Sequence, residues 1–176
     1  MIVQTAPEGA PRFVIRMSEH TALADQFARA FGNDRFEPVA NEEAHFIIAN
    51  HDIGWAPLDA EYRIDPKTGL PYNLVETPFD LIMGTSRRSP DVNERKHPFC
   101  GLLSSMHTWG LYNGRYGLSD IVLLDKIAHD NREMADAMLS HELERQGKIK
   151  DTLVKDPEMS ERIEDDNLMQ SYKQLQ

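Results

Sequence analysis

Apolar residues recur at helical spacing along most of this chain, and histidines fall on the same stripes. Between Ser18 and Phe31 the stripe occupies positions i, i+3, i+4, i+7 and i+11 and consists of His20, Leu23, Ala24, Phe27 and Phe31. This spacing puts the side chains on one face of an α-helix and predicts that the face is buried. The pattern predicts a mostly α fold in which His20 faces the core.

The second stripe follows Asn41, a residue type that caps helices well. It consists of Ala44, Ile47, Ile48 and His51. Asp52 lies about 100° further round the helix, and Gly54 is predicted to end it. A third stripe begins at His97-Pro98 and consists of Cys100, Leu103, His107 and Leu111. Three histidines on three helices are thus predicted to point inward.

The segments around these helices complete the predicted architecture. Two β-like runs, Met1–Thr5 and Arg12–Met17, flank a Pro- and Gly-containing turn and predict an N-terminal hairpin. Residues 55–76 predict a long ordered loop, Thr77-Pro78 opens a helix to about Ser89, and the pattern from Ser119 onward is helical. We expect one domain over 1–176, with a hairpin at 1–17, metal-site helices at 18–130 and C-terminal helices at 131–176.

Composition restricts the classes of function. The chain has 176 residues and a formal net charge of −10, which argues against a nucleic-acid polymer or an anionic membrane as partner. No apolar run is long enough to span a bilayer, and the N-terminus lacks the pattern of a secretory signal, so a cytoplasmic protein is expected. With one cysteine, a metal site would need His and carboxylate ligands, which suit Mn, Fe, Mg or Zn.

The His51-Asp52 doublet and His20, which is 31 residues upstream of His51, predict such a site. A divalent cation that activates water needs three or four protein ligands and an open position. His20, His51 and Asp52 can supply three ligands from two packed helices. His107 can supply a fourth or approach the substrate. The alternative for His20 and His107 is that of ordinary buried histidines bonded to backbone carbonyls.

These residues resemble a known group. A helical His20, followed by Ala49-Asn50-His51-Asp52-Ile53-Gly54 at the end of the next helix, resembles the HD-domain superfamily of metal-dependent phosphohydrolases. The resemblance implies an HD-domain-like helical bundle with His20, His51 and Asp52 as metal ligands. It also implies a later Asp that completes the metal shell.

Over most of its length the chain also resembles a bacterial family of HD-like proteins with no established substrate. This likeness rests on the hairpin, His51-Asp52-Ile53-Gly54-Trp55, residues 65–72, Ser105-Met106-His107 and Gly110-Leu111-Tyr112. The candidates for the later Asp are Asp120, Asp125, Asp165 and Asp166. Because the amphipathic pattern at the end of the sequence has no cap, we expect the natural chain to continue beyond Gln176.

Substrate-binding residues are less constrained by the pattern. Arg87 and Arg88 can clamp an anionic substrate, because guanidinium groups match phosphate oxygens; the alternative is a solvated helix end. Trp55 and Trp109 either wall the pocket or, as we favour, pack in the core. The remaining four histidines are predicted to be surface or capping residues: His45, His97, His129 and His141.

The leading hypothesis is a hydrolase of a small phosphorylated molecule. A cation held by His20, His51 and Asp52 would activate water, His107 would stabilise the leaving oxygen, and Arg87 or Arg88 would neutralise the phosphate. A di-iron oxygenase on the same scaffold is a second hypothesis and would need His45 or His97 at the site. The third is a non-enzymatic or vestigial ligand-binding or interaction module. The acidic, Met-rich face of 131–176 is a candidate homodimer surface.

Overall fold

The computed structural model describes residues 1–39 and 41–176, most of which lie in helices. The predicted mostly α class with a short N-terminal hairpin is confirmed. Strands β1 (Ile2–Val3) and β2 (Val14–Ile15) pair antiparallel, and both are shorter than the predicted runs. The helices are α1 (Met17–Ala30), α2 (Glu42–Asn50), α3 (Ala56–Glu61), α4 (Phe79–Lys96), α5 (Pro98–Tyr112), α6 (Arg132–Leu153), α7 (Pro157–Ser160) and α8 (Asp165–Leu175).

Side-chain caps fix where several helices begin. The Asn41 carboxamide oxygen accepts a hydrogen bond from the Ala44 amide at 2.8 Å, as the sequence predicts for the start of α2. His97 Nδ1 accepts from the Phe99 amide at 3.2 Å, so His97 is the predicted capping residue, with Pro98 in the first turn of α5.

Helix α5 forms the centre of the fold. It contacts α2, α4, α6 and α8, and nearly all of its residues are buried. Gly101 permits the close approach of α4, because a Cβ at this position would lie 2.6 Å from the Glu94 Cβ. The main core consists of Ile47, Phe99, Cys100, Leu102, Leu103, Met106, Ile149, Leu153, Met159, Leu168 and Tyr172. The predicted metal-site helices and C-terminal helices therefore share one core.

The buried face of α1 differs from the predicted one. Leu23, Phe27 and Phe31 are 48, 68 and 51 % exposed, so the predicted apolar stripe faces outward. The inward face carries the buried Met17 and otherwise residues that are shorter or more polar, namely His20, Thr21, Ala24, Asp25 and Ala28. His20 does belong to the inward face, beside small residues that let α1 approach α2. The hydrophobic pattern identified the helix and misassigned its side.

Three further segments of the chain also differ from the predictions. Residues 55–76 include α3, whose Pro57 stands in the first helical turn, where proline is tolerated. Helix α4 continues through Pro90 to Lys96 instead of ending near Ser89. Residues 118–131 contain short 3₁₀ turns at Leu123–Lys126 and His129–Asn131 where a helix was predicted. Within residues 1–39 and 41–176, no helix is both long enough and apolar enough to cross a membrane.

Candidate metal centre

Three predicted ligands meet between α1 and the end of α2. His20, His51 and Asp52 each offer a donor atom, and these atoms lie within 4.8 Å of one another. Bonds of about 2.0–2.2 Å to one ion separate ligand atoms by roughly 3–4.4 Å, so modest side-chain rotations would bring the three donors to coordination distance. The geometric condition on which the sequence hypothesis depends is therefore met: the remote His20 lies beside the doublet.

The ring of His51 is held in an orientation that suits a ligand. Its Nδ1 lies 2.7 Å from the carbonyl oxygen of Ile48, which requires the proton to be on Nδ1. The lone pair is then on Nε2, which lies 3.4 Å from Asp52 Oδ2. A backbone carbonyl that fixes the tautomer in this way is common behind metal-binding histidines.

Asp52 is a carboxylate without a strong cationic partner. Its side chain is 20 % exposed, and among residues 1–39 and 41–176 no Arg or Lys forms an ion pair with it. Burial raises the pKa of Asp52, and the imidazoles of His51 and His20 offset this only in part. A divalent cation would supply the missing positive charge and stabilise the ionised carboxylate.

His107 of α5 lies on the other side of the doublet. Its ring centroid is 5.0 Å from that of His51, and its Nδ1 is 3.0 Å from the Gln176 side-chain nitrogen. Burial, together with the nearby His51 and Arg115, lowers the pKa of His107 to about 3. The imidazole is therefore neutral at physiological pH and can offer a lone pair or an N–H group to the cavity.

Helix α4 holds the segment that follows the doublet. The Gly54 amide donates to Ser89 Oγ at 2.9 Å, and a Cβ on Gly54 would lie 2.1 Å from the carbonyl oxygen of Thr85. The buried Asn93 donates from Nδ2 to the Asn50 carbonyl at 3.1 Å. The glycine of the His-Asp-Ile-Gly motif is thus required by close packing, and it keeps the His51-Asp52 doublet close to α4.

The donor cluster opens into a cavity of about 790 Å³. This volume lies within the range of pockets that bind small molecules. Part of its wall comes from residues 123–131, the segment predicted to be helical. The basic side chains among its lining residues are Arg115 and Lys126.

A model of the family described as "Protein of unknown function (DUF3891)" matches residues 1–176. The chain belongs to the DUF3891 family. No curated protein matches it significantly, and neither does any solved structure.

The structure does not bring Arg87 and Arg88 of the DUF3891 chain to the cavity. Arg87 lines a separate surface cleft with Asp91, Glu94 and Arg145. Arg88 Nη1 lies 3.4 Å from the Gly54 carbonyl, so Arg88 contacts the segment behind the ligands and is absent from the cavity wall. The two arginines lie on α4, whose cavity-facing side carries Phe79, Ile82, Ser86 and Ser89. Their predicted role at a phosphate is not supported by this placement.

The predicted aspartate that would complete the shell is not at the cluster either. All four candidates, Asp120, Asp125, Asp165 and Asp166, are exposed and lie outside the donor group. The side chain that adjoins the doublet from α5 is His107. His107 also lies outside the group of three donors, so none of the described residues joins His20, His51 and Asp52 in it.

The other aromatic and histidine predictions have mixed outcomes. Trp55 is buried and also lines the cavity, whereas Trp109 packs against Tyr116 with ring centroids 4.9 Å apart. His45 is not a surface residue, because it is 8 % exposed and its Nδ1 lies 2.8 Å from Asp25 Oδ1. The His45–Asp25 pair joins α1 to α2 and explains why polar residues occupy the inward face of α1.

Sequence reasoning missed Arg115, the first basic residue after α5. It lies in the segment Gly114–Gly117, in which all four residues have positive φ values between 50° and 85°. The two flanking glycines were a usable signal, since glycine is the usual residue at such backbone angles. Nothing in the local pattern indicated that the arginine between them would line the cavity.

Proposed function

We propose that this protein is a metal-dependent hydrolase of a small phosphoester, with His20, His51 and Asp52 as ligands of one divalent cation. The carrying observation is that these three donors lie together and that they and the neighbouring His107 line one cavity of about 790 Å³. The proposal agrees with the resemblance of the His-Asp motif to the HD-domain superfamily. The number of histidines favours Mn, Fe or Zn over Mg, because imidazole suits these metals better.

The residues of the chain would have distinct tasks in this reaction. When bound, the cation would supply Lewis acidity and a nucleophilic water at neutral pH. Asp52 would balance the charge of the cation, and the Ile48 carbonyl would keep the Nε2 lone pair of His51 directed at it. The neutral His107 would donate an N–H hydrogen bond to an oxygen of the phosphoester, or complete the ligand set.

Metal content and activity of matched variants test the proposal. We expect about one Mn, Fe or Zn per wild-type chain by elemental analysis, and hydrolysis of p-nitrophenyl phosphate or a nucleotide that chelation abolishes. His51→Ala and Asp52→Asn should lose both. His129→Ala is the matched control, since His129 is fully exposed and should retain both. A His51→Ala protein with full metal content and activity would show that the mechanism is wrong.

The two alternative hypotheses make different predictions. A di-iron oxygenase would need His45 or His97 at the site, but His45 is bonded to Asp25 and His97 caps α5. This removes the specific support for that hypothesis. A non-enzymatic module would fold well without metal and show a melting temperature that neither Mn²⁺ nor a chelator changes.

A further inference from the structure

The backbone around Arg115 adopts a rare left-handed turn. Gly114, Arg115, Tyr116 and Gly117 have φ values of 67°, 50°, 56° and 85° in succession. Residues with a Cβ atom are disfavoured in this conformation, so two consecutive examples require compensation from their surroundings. Strained turns of this kind cluster at ligand sites, so a role in ligand binding is one explanation for the conformation of Arg115 and Tyr116.

Packing accounts for Tyr116. Its ring lies 4.9 Å from that of Trp109 and 5.0 Å from that of Tyr172, and its hydroxyl donates to Gln146 at 3.2 Å. These contacts fix the turn against the core. They do not involve Arg115, whose side chain has no ion pair or hydrogen bond within residues 1–39 and 41–176 and lines the cavity.

Lys126 lines the same cavity and is likewise unpaired within the described residues, although it is exposed whereas Arg115 is partly buried. The protein as a whole has a net charge of −10. The two unpaired cationic side chains in this cavity are therefore opposite in sign to the net charge of the protein. Arg115 and Lys126 line the same cavity as His20, His51, Asp52 and His107. The cavity that holds the donor cluster therefore also carries two cationic side chains.

Most of the remaining lining residues are apolar, among them Met17, Trp55, Val75, Phe79, Leu111 and Ile127. Six uncharged polar residues also line the cavity: Thr77, Ser86, Ser89, Thr108, Tyr112 and Asn131. The hydroxyls of Thr77, Ser89 and Thr108 already take part in hydrogen bonds within the protein. A wall of this kind stabilises an apolar ligand body more than the hydroxyl groups of a sugar.

We propose that Arg115 and Lys126 form an anion-binding subsite, and that the ligand of the cavity is a monophosphate ester of an apolar alcohol. The assignment of the anion as a phosphate ester rests on the proposed function. The cationic subsite and the apolar wall do not depend on a metal, so binding can be tested without one.

Binding of four probes to chelator-treated wild-type protein tests the ligand class. The probes are 1-naphthyl phosphate, 1-naphthol, inorganic phosphate and glucose 6-phosphate, each titrated by calorimetry. We expect 1-naphthyl phosphate to bind at least tenfold more tightly than each of the other three. Equal or tighter binding of glucose 6-phosphate would overturn the apolar-alcohol assignment. Equal binding of 1-naphthol would overturn the anion subsite.

Substitution of Arg115 tests whether this residue binds the anionic group of the ligand. Arg115→Asn removes the charge with a residue that tolerates positive φ, and Arg115→Gly removes it with one that prefers this conformation. Both should weaken 1-naphthyl phosphate binding at least tenfold and leave 1-naphthol binding unchanged. Arg87→Asn is the matched control and should bind the phosphate like the wild type, since Arg87 lies outside this cavity. Wild-type affinity in a folded Arg115→Asn or Arg115→Gly protein would refute the subsite.

The same titrations in the presence of Mn²⁺ separate this inference from the proposed function. If Arg115-dependent binding occurs in chelated protein but Mn²⁺ neither binds nor supports hydrolysis, the subsite stands and the hydrolase proposal fails. If Mn²⁺ binds and supports hydrolysis of p-nitrophenyl phosphate but Arg115→Asn has no effect on probe affinity, the hydrolase proposal stands and the subsite fails.

Discussion

Replacement of Gly54 by alanine tests the packing that holds the His51-Asp52 doublet against α4. The φ of Gly54 is not positive, so alanine can adopt its backbone conformation. If nothing lay close to Gly54, the substitution would stabilise the protein by about 0.4–1 kcal/mol, because alanine reduces the entropy of the unfolded chain. The structure predicts the opposite sign.

The magnitude follows from the distances around the added Cβ. It would lie 2.1 Å from the Thr85 carbonyl oxygen and 2.8 Å from Ser89 Oγ, whereas relaxed contacts between heavy atoms are about 3.5 Å long. Thr85 and Ser89 are buried on α4, so the segment carrying Gly54 must move away by about 1 Å. Overpacking costs about 1–3 kcal/mol, and loss of the buried hydrogen bond from the Gly54 amide to Ser89 adds about 1–3 kcal/mol. We expect a net loss of about 2–5 kcal/mol.

Urea denaturation followed by circular dichroism, in the presence of a chelator, measures this loss without a contribution from bound metal. Gly84→Ala is the matched control, because Gly84 lies within α4 and an added Cβ meets nothing within 4 Å. The control should gain about 1 kcal/mol from helix propensity. An unchanged or increased stability of Gly54→Ala would refute the argument that the motif glycine is required by close packing.

Two further predictions concern groups away from the cavity. Cys100 is fully buried, and burial raises the pKa of its thiol to about 11, so about 0.1 % would be thiolate at pH 8; labelling by a thiol reagent should therefore proceed only at the rate of unfolding, and faster labelling in native buffer would contradict this placement. Burial raises the pKa of Asp25, but hydrogen bonds from Arg29 and His45 outweigh it, and the net pKa lies below the ordinary value of 3.8. The Asp25 carboxyl then binds a proton more readily in the unfolded chain than in the native one. The interactions of ionised Asp25 with Arg29 and His45 therefore stabilise the fold above about pH 4, and this contribution is lost as the pH falls through the folded pKa. Denaturation at pH 6 and pH 3 should show a smaller loss of stability in Asp25→Asn than in the wild type, and an equal loss would contradict the pairing.

The starts of α2 and α5 could be predicted because their causes are local. Asn41 and His97 cap with their own side chains, within two or three residues of the groups that they satisfy. The extent of α4 could not be predicted in this way, since Pro90 is tolerated within the helix where it packs against the rest of the protein. The length of a helix depends on tertiary packing as well as on its own residues.

The prediction of which side of α1 is buried was wrong for a related reason. A hydrophobic pattern assigns the face with Phe27 and Phe31 to the core, because large apolar side chains are usually buried. Here the inward face instead carries small residues and Asp25, whose charge is satisfied by His45 on α2. The partner that makes a polar face suitable for burial lies 20 residues away, and no period within α1 reports it.

The two halves of the candidate site differ in how far the sequence constrains them. The chain has only seven histidines, and three inward-facing ones beside an aspartate restrict a metal site to few choices. It has 19 lysines and arginines, any of which can bind an anion, so residue type alone does not select among them. Arg115 and Lys126 are selected by the left-handed turn and by the course of residues 118–131 over the cavity. Both features are products of tertiary packing, which is why the candidate metal ligands could be named from the sequence and the proposed anion-binding residues could not.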